Sequence, residues 1–135
     1  MKSFNLRISA IHRDFYTGPC ESVTFPTIDG EVGILAGHEP TVYAVDAGEL
    51  RFTANGETKI LAVGDGFARV DREKVVILVD FAELASEIDE VRAEDSRTRA
   101  ESIIKANADS KMVAQAEVEL TKAIVRLKVA KKGHM

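Results

Sequence analysis

Phe4, Leu6 and Ile8 alternate with Asn5, Arg7 and Ser9, the period-two pattern of a strand with one buried face. Val23, Phe25 and Thr27 repeat the pattern, and Thr41–Val45 is β-branched and aromatic. Leu50, Phe52 and Ala54 alternate with Arg51 and Thr53. Beyond Asn55-Gly56, Thr58, Ile60 and Ala62 alternate with Lys59 and Leu61. Asn-Gly between two alternating runs predicts a two-residue hairpin, because both residues accept the positive φ of a type I′ turn. Gly64-Asp65-Gly66 predicts a second turn, Phe67–Val70 a short strand, and Asp71-Arg72-Glu73 a third turn. Val75–Val79 is apolar on both sides and predicts a central strand covered on both faces. Many short strands at close spacing predict a sandwich or barrel.

The pattern changes near Ala85. All nine glycines but one and all three prolines come before it, and only Gly133 follows. Glycine and proline punctuate turns and break helices, so residues 1–85 are expected to form a β domain and residues 86–135 a helical one. The helical part is expected to start at Ser86, with Asp89 three residues on completing a capping box in place of the usual Glu. The first helix offers a thin face of Ala93, Ser96, Arg97, Ala100, Ile103, Ile104 and Asn107. Asn107-Ala108-Asp109-Ser110 reads as a turn and a new N-cap. On the second helix Val113, Ala116, Leu120, Ala123, Ile124 and Leu127 share one face. Two helices joined by a short loop make an antiparallel hairpin. Alanine dominates its seam, so little apolar area is buried and the hairpin is marginal by itself. Such an element needs the β domain, a ligand or a partner, and can change conformation cheaply.

Composition narrows the function. The chain has 135 residues, 45% of them hydrophobic and 30% charged, an ordinary globular balance for one domain with a small appendage. No apolar run approaches the roughly 18 residues of a membrane span. No apolar segment follows Lys2, so no secretory signal is expected. Cys20 is the only cysteine, which excludes an internal disulfide and a thiolate metal cluster, suits a reducing compartment, and predicts a small packed apolar residue. The net charge of −4 argues against a nucleic-acid binder with a basic face. His12, His38 and His134 lack ligand spacing, so no metal is expected. No serine sits in a nucleophile elbow. Gly33-Ile34-Leu35-Ala36-Gly37 lacks the lysine and spacing of a phosphate loop. Without a catalytic constellation a small enzyme is disfavoured. A free-standing β-sandwich binding module whose hairpin grips a partner stands as the alternative reading.

Two segments carry chemistry. From Lys122 to Lys132 the charged residues are Lys122, Arg126, Lys128, Lys131 and Lys132, with no acid among them. Such a run either complements the helix macrodipole or docks on an acidic partner surface. In Ile88-Asp89-Glu90-Val91-Arg92-Ala93 the acid and the arginine are three apart and can pair on one helix face. The same arrangement presents an acid, a phosphate-binding arginine and a small residue beside which a flat ring fits, and Lys122 and Arg126 on the facing helix would add phosphate contacts.

A β domain ending in Ile88-Asp89-Glu90-Val91-Arg92-Ala93 and followed by a helical hairpin resembles the epsilon subunit of rotary ATP synthases over essentially the whole chain. Asp29-Gly30-Glu31-Val32-Gly33-Ile34-Leu35-Ala36-Gly37-His38-Glu39-Pro40 is similar to that family's glycine-rich signature. Gly48-Glu49-Leu50-Arg51, Gly66-Phe67-Ala68-Arg69-Val70 and Val75-Val76-Ile77-Leu78 follow in the family's order. Thr41-Val42 stand where leucines are usual.

The resemblance implies a ten-stranded β-sandwich packed on a gamma subunit at the foot of the central stalk, followed by the α-helical hairpin. The Asp29–His38 loop, with Gly30, Glu31, Gly33 and His38, would face the membrane rotor ring of c subunits. The subunit is then no catalyst and needs no cofactor. It would couple the rotor to the catalytic head, and its hairpin would act as a brake. Folded on the sandwich, the hairpin permits ATP hydrolysis. Extended, it would set Lys122, Arg126 and Lys128 against an acidic motif of the catalytic beta subunit. Some members bind ATP as a regulatory ligand, which implies a site of Glu83, Ile88, Asp89, Arg92, Ala93, Arg99, Lys122 and Arg126. Lys122 replaces an arginine there, turning one bidentate phosphate contact into a point charge. The expected location is the cytoplasmic face of a bacterial membrane, as a peripheral part of the complex, rather than a plastid thylakoid.

Overall fold

The computed structural model describes residues 2–106 and 109–133. Ten strands come first: β1 (Phe4–Ala10), β2 (Arg13–Cys20), β3 (Ser22–Thr27), β4 (Gly30–Leu35), β5 (Thr41–Val45), β6 (Gly48–Ala54), β7 (Glu57–Val63), β8 (Gly66–Val70), β9 (Lys74–Val79) and β10 (Ala82–Leu84). A single 3-10 turn, Ala85–Glu87, leads into helices α1 (Glu90–Ala106) and α2 (Ser110–Gly133). The strands form two five-stranded sheets, ordered β2-β1-β9-β8-β5 and β10-β7-β6-β3-β4.

The sheets close into a sandwich because their inward positions alternate as the sequence predicts. Leu6 and Ile8 of the first sheet meet Phe25, Leu50 and Phe52 of the second in one buried cluster. Asn55 and Gly56 take φ values of 55° and 75°, so the β6–β7 turn is the expected primed hairpin, with Ala54 paired to Glu57. Cys20 is buried at the end of β2 and its thiol donates to the Ser22 carbonyl at 3.0 Å. Burial raises its proton affinity, which keeps it an unreactive packing residue.

Two strand expectations need correction. β9 is central, between β1 and β8, but its outer face is open and Leu78 is 37% exposed. The doubly covered strand is β7. Its Leu61 enters the sandwich core, while Ala62 and half-buried Ile60 pack on the other side against the helices. The alternation of Ile60 and Ala62 with Leu61 therefore separates two apolar faces, not an apolar face from a polar one.

The helix start is also displaced. Ser86 sits in the 3-10 turn and does not cap α1. Asp89 is the N-cap: its Oδ1 accepts the Arg92 backbone N–H at 3.1 Å, and its carbonyl accepts that of Ala93 at 3.0 Å. Ile88 stays extended (φ −72°, ψ 127°), which lets its side chain join an apolar cluster with Ala85, Val125 and Val129. The Asp89 carboxylate thus serves the backbone of Arg92, and no Asp89–Arg92 ion pair forms among the described residues. Asp109 caps α2 in the same way, its Oδ1 accepting the Lys111 N–H at 2.8 Å. Asn107 and Ala108 of the expected turn, and His134, lie outside the described residues.

The seam between the helices is as thin as its alanines imply: Ala93 and Ala100 face Ala116 and Ala123. Ile124, expected there, is 37% exposed. In its place Val125, Val129 and Ala130 form a second apolar stripe on α2, buried against Ala62, Ala85 and Ile88. A helix that touches both α1 and a sheet needs two contact faces, and the six-residue pattern read from the sequence describes only one.

Candidate functional site

The end of β10, the 3-10 turn, the first turns of α1 and the middle of α2 enclose a cleft of about 440 Å³, within the usual range of small-ligand sites. Glu83, Ile88, Asp89, Arg92, Ala93 and Arg126 all line it. Arg126 donates from Nε to Glu83 Oε1 at 2.7 Å, with both side chains largely shielded. Its guanidinium also lies 4.8 Å from the Phe81 ring centre, a cation–π contact. Ile88 and Ala93 supply the apolar wall, and both are buried.

Two of the eight predicted residues lie elsewhere. Arg99 lines an adjoining groove of about 310 Å³ between α1 and α2, with Ile103 and Met112. Its Nε reaches the Asp95 carbonyl at 3.5 Å. The two spaces share Ser96 and Glu119, so they run on into each other along the seam. Lys122 also lies over Phe81, 5.7 Å from the ring centre, and 3.9 Å from Glu119. It lines a smaller space of about 100 Å³ with Asp65 and Asp80. The geometry therefore brings six of the eight residues to one cleft, with Arg99 and Lys122 as its neighbours.

Sequence reasoning missed Phe81, Glu87 and Glu119. Glu119 had a signal: it precedes Arg126 by seven residues on one helix and so shares its face. Phe81 had none, since an aromatic residue between strands usually means core. Glu119 and Glu87 add acid to the cleft mouth. Glu83 engages only Nε of Arg126, so its Nη groups face a polyphosphate without breaking that pair, alongside the α1 N-terminus and Arg92.

Arg126 and Lys122 are also two of the three bases expected to dock on an acidic partner. With the hairpin folded they are turned inward, 25% and 27% exposed, whereas Lys128 is exposed. Lys122 and Arg126 are therefore engaged at Phe81 in the folded chain, while Lys128 stands in the open.

The remaining candidates lie along the second sheet's edge. The segment Asp29–His38, expected to be a loop, is mostly the edge strand β4, which carries Gly30, Glu31 and Gly33 in the open beside a tight turn whose Ile28 is 87% exposed. Gly30 has φ 115°, a value that side chains strain to adopt. His38 follows the strand, its Nδ1 2.8 Å from the Glu39 carbonyl. Glu31 is not isolated. Arg51 Nη1 and Nη2 reach its two carboxylate oxygens at 2.8 and 3.1 Å. Arg51 Nη1 also lies 2.6 Å from Glu49 Oε2, and Lys132 Nζ lies 2.7 Å from Glu49 Oε1.

Burial pushes the Glu49 carboxyl up, but the hydrogen bonds and charges of Lys132 and Arg51 together outweigh it and pull it below its ordinary value. A depressed folded-state pKa stabilises above the unfolded value, about pH 4.3 for Glu, and that stabilisation is lost as pH falls through the folded value. Protection of the last turns of α2 is therefore expected to hold from neutrality down to about pH 4.3 and to weaken below it. Amide exchange at matched intrinsic rates checks this.

A family model described as the ATP synthase delta/epsilon chain β-sandwich domain matches residues 3–85. A second, for the long α-helix domain of the same chain, matches residues 86–131. The ATP synthase epsilon chain of Herpetosiphon aurantiacus is 40% identical over 126 residues, covering 93% of each chain. That of Ruminiclostridium cellulolyticum is 39% identical, covering 94% of this chain and 95% of its own. Among solved structures, a chain of the Euglena gracilis mitochondrial ATP synthase OSCP/F1/c-ring assembly superposes with a TM-score of 0.80 at 26% identity, covering 96% of this chain and 81% of its own. A sandwich fused to a hairpin that carries inward-turned bases, matched along nearly its whole length, belongs to the delta/epsilon chain family of ATP synthases.

Proposed function

We propose that this chain is the non-catalytic epsilon-type subunit of a bacterial rotary ATP synthase, placed in the central stalk at the cytoplasmic face of the membrane. It couples the gamma subunit and rotor ring to the catalytic head, and its hairpin restrains ATP hydrolysis when it leaves the sandwich. The solved relative from Euglena belongs to an assembly named for its F1 and c-ring, which supports these partners. No described helix is long and apolar enough to cross a membrane.

The observation that carries the braking role is the hold of Glu83 and Phe81 on Arg126. Open, Arg126 joins Lys122 and Lys128 as a basic stripe fit for an acidic surface of the beta subunit. The outer face of the first sheet offers the gamma seat, since Val42, Phe67 and Leu78 are 67%, 49% and 37% exposed there. The β4 edge, with Gly30, Glu31 and Gly33, and His38 beyond it, faces the rotor ring.

ATP fits the cleft as a regulator that favours the closed hairpin. Arg92 and Arg126 would take the phosphates, and the base would lie by Ile88 and Ala93. A ligand that binds only the closed form stabilises it by about 2.7 kcal/mol at a hundredfold excess over Kd, enough to decide a thin seam. Co-purification from the native cell should return a gamma-like subunit, and loss of that partner would end the stalk reading. Titration of the isolated chain should give saturable NMR shifts at Ile88, Arg92, Ala93 and Arg126. No shift at millimolar ATP would remove sensing and leave the stalk role standing.

A further inference from the structure

The last turn of α2 and the exposed edge strand β4 share no ion pair among the described residues, yet a line of alternating charge joins them: Lys132, Glu49, Arg51 and Glu31. We propose that these four side chains form one clasp, in which Glu31 helps to hold Lys132, and with it the free end of the hairpin, without contacting it.

Arg51 stands between the two acids. Its Nη1 lies 2.6 Å from Glu49 and 2.8 Å from Glu31. Glu49 offers one oxygen to Arg51 and the other to Lys132. The group is neutral as a whole, two cations with two anions. Removing the charge of Glu31 leaves Arg51 neutralised by Glu49 alone. Lys132 then faces a carboxylate whose field is cancelled by a neighbouring guanidinium, and its attraction falls. The shielding that makes this matter is local, for the Glu49 side chain is only 14% exposed. The field of Lys132 is among the causes that lower the proton affinity of Glu31, so the two ends sense each other.

The consequence rests on the reading above that β4 meets the rotor. A cationic side chain of that partner drawn to Glu31 would slacken the hairpin's end. Reciprocity then requires that a departed hairpin leave Glu31 more attractive to that cation. Rotor contact and hairpin release would favour each other.

The test uses the full isolated chain, with amide exchange read at Lys128–Lys132. Lys132→Gln and Glu31→Gln are each expected to speed exchange there about two- to fivefold, the scale of an exposed ion pair. The double variant should exchange no faster than the faster single, because both remove the same interaction. Unchanged protection of β6 and β7 shows that the sandwich remains folded. If Glu31→Gln matches the native rate while Lys132→Gln does not, the pair with Glu49 is a local contact and the clasp is overturned. If neither variant changes the rate, or the two effects simply add, it is overturned as well. None of these outcomes touches the stalk assignment, which the co-purification decides.

Discussion

Val129→Asp is expected to free the hairpin from the sandwich while leaving the sheets folded. Val129 is 2% exposed, in a cluster with Ala62, Ala85, Ile88, Val125 and Ala130. A carboxylate there has no partner within the cluster, and burying it costs several kcal/mol. The alternative is to move α2 away, which sacrifices this cluster, the Arg126–Glu83 pair, the contacts of Lys122 and Arg126 with Phe81 and those of Lys132. A change of about 3 kcal/mol or more should favour that separation. Amide exchange along α1 and α2 should then approach that of an unprotected helix, because an alanine seam cannot sustain two helices alone. Amides of β1, β6 and β9 should stay protected. ATP-dependent shifts at Ile88 and Arg126 should vanish, and an ATP synthase assembled with this variant should hydrolyse ATP more slowly. If α2 remains as protected as in the native chain, the cluster does not hold the hairpin and the brake reading loses its mechanical basis.

That prediction depends on residues the sequence did not reveal. The strands with alternating patterns were legible, as were the Asn55-Gly56 turn and the alanine seam, because each depends on near neighbours in the chain. Val125 and Val129 were not, because their partners Ala62, Ala85 and Ile88 lie far away in sequence. The same limit hid the open face of β9 and the second covered face of β7. Both follow from which sheet the hairpin rests on, a choice that no local window contains. β2 escaped notice for another reason. It is an edge strand with Pro19 and a single buried position, so it lacks a strong alternating signal. In the cleft, the motif Ile88-Asp89-Glu90-Val91-Arg92-Ala93 brings four residues to one space, since one helix start positions them all. Arg99 and Lys122 fell outside because a helix turns about 100° per residue and small shifts in its facing direction decide which space a side chain enters.

Gly66→Ala is the second change expected to have a large effect, and it acts through the other sheet. Gly66 opens β8 opposite Val79 of β9. A Cβ on Gly66 would lie 1.8 Å from the Leu78 carbonyl oxygen and 2.8 Å from the Val79 Cα. Both are backbone atoms, so no side chain can swing aside. β9 is bonded to β1 on its other edge, and a displacement of β9 therefore disturbs the middle of the sheet. Overpacking of this kind costs about 3 kcal/mol, which for a chain of this size lowers Tm by about 10 °C. Gly33→Ala is the contrast, since its Cβ would meet only Thr24 Oγ1 at 3.5 Å, an ordinary contact, and should alter Tm by no more than a few degrees. The damage from Gly66→Ala should also reach function. Phe67 and Leu78, paired across β8 and β9, are the exposed apolar residues of the proposed gamma seat, and they sit beside the displaced backbone. Capture of the gamma subunit should therefore weaken even at temperatures where the variant is folded. A variant that melts within a degree or two of the native chain would show that β8 and β9 can separate without disturbing the sheet.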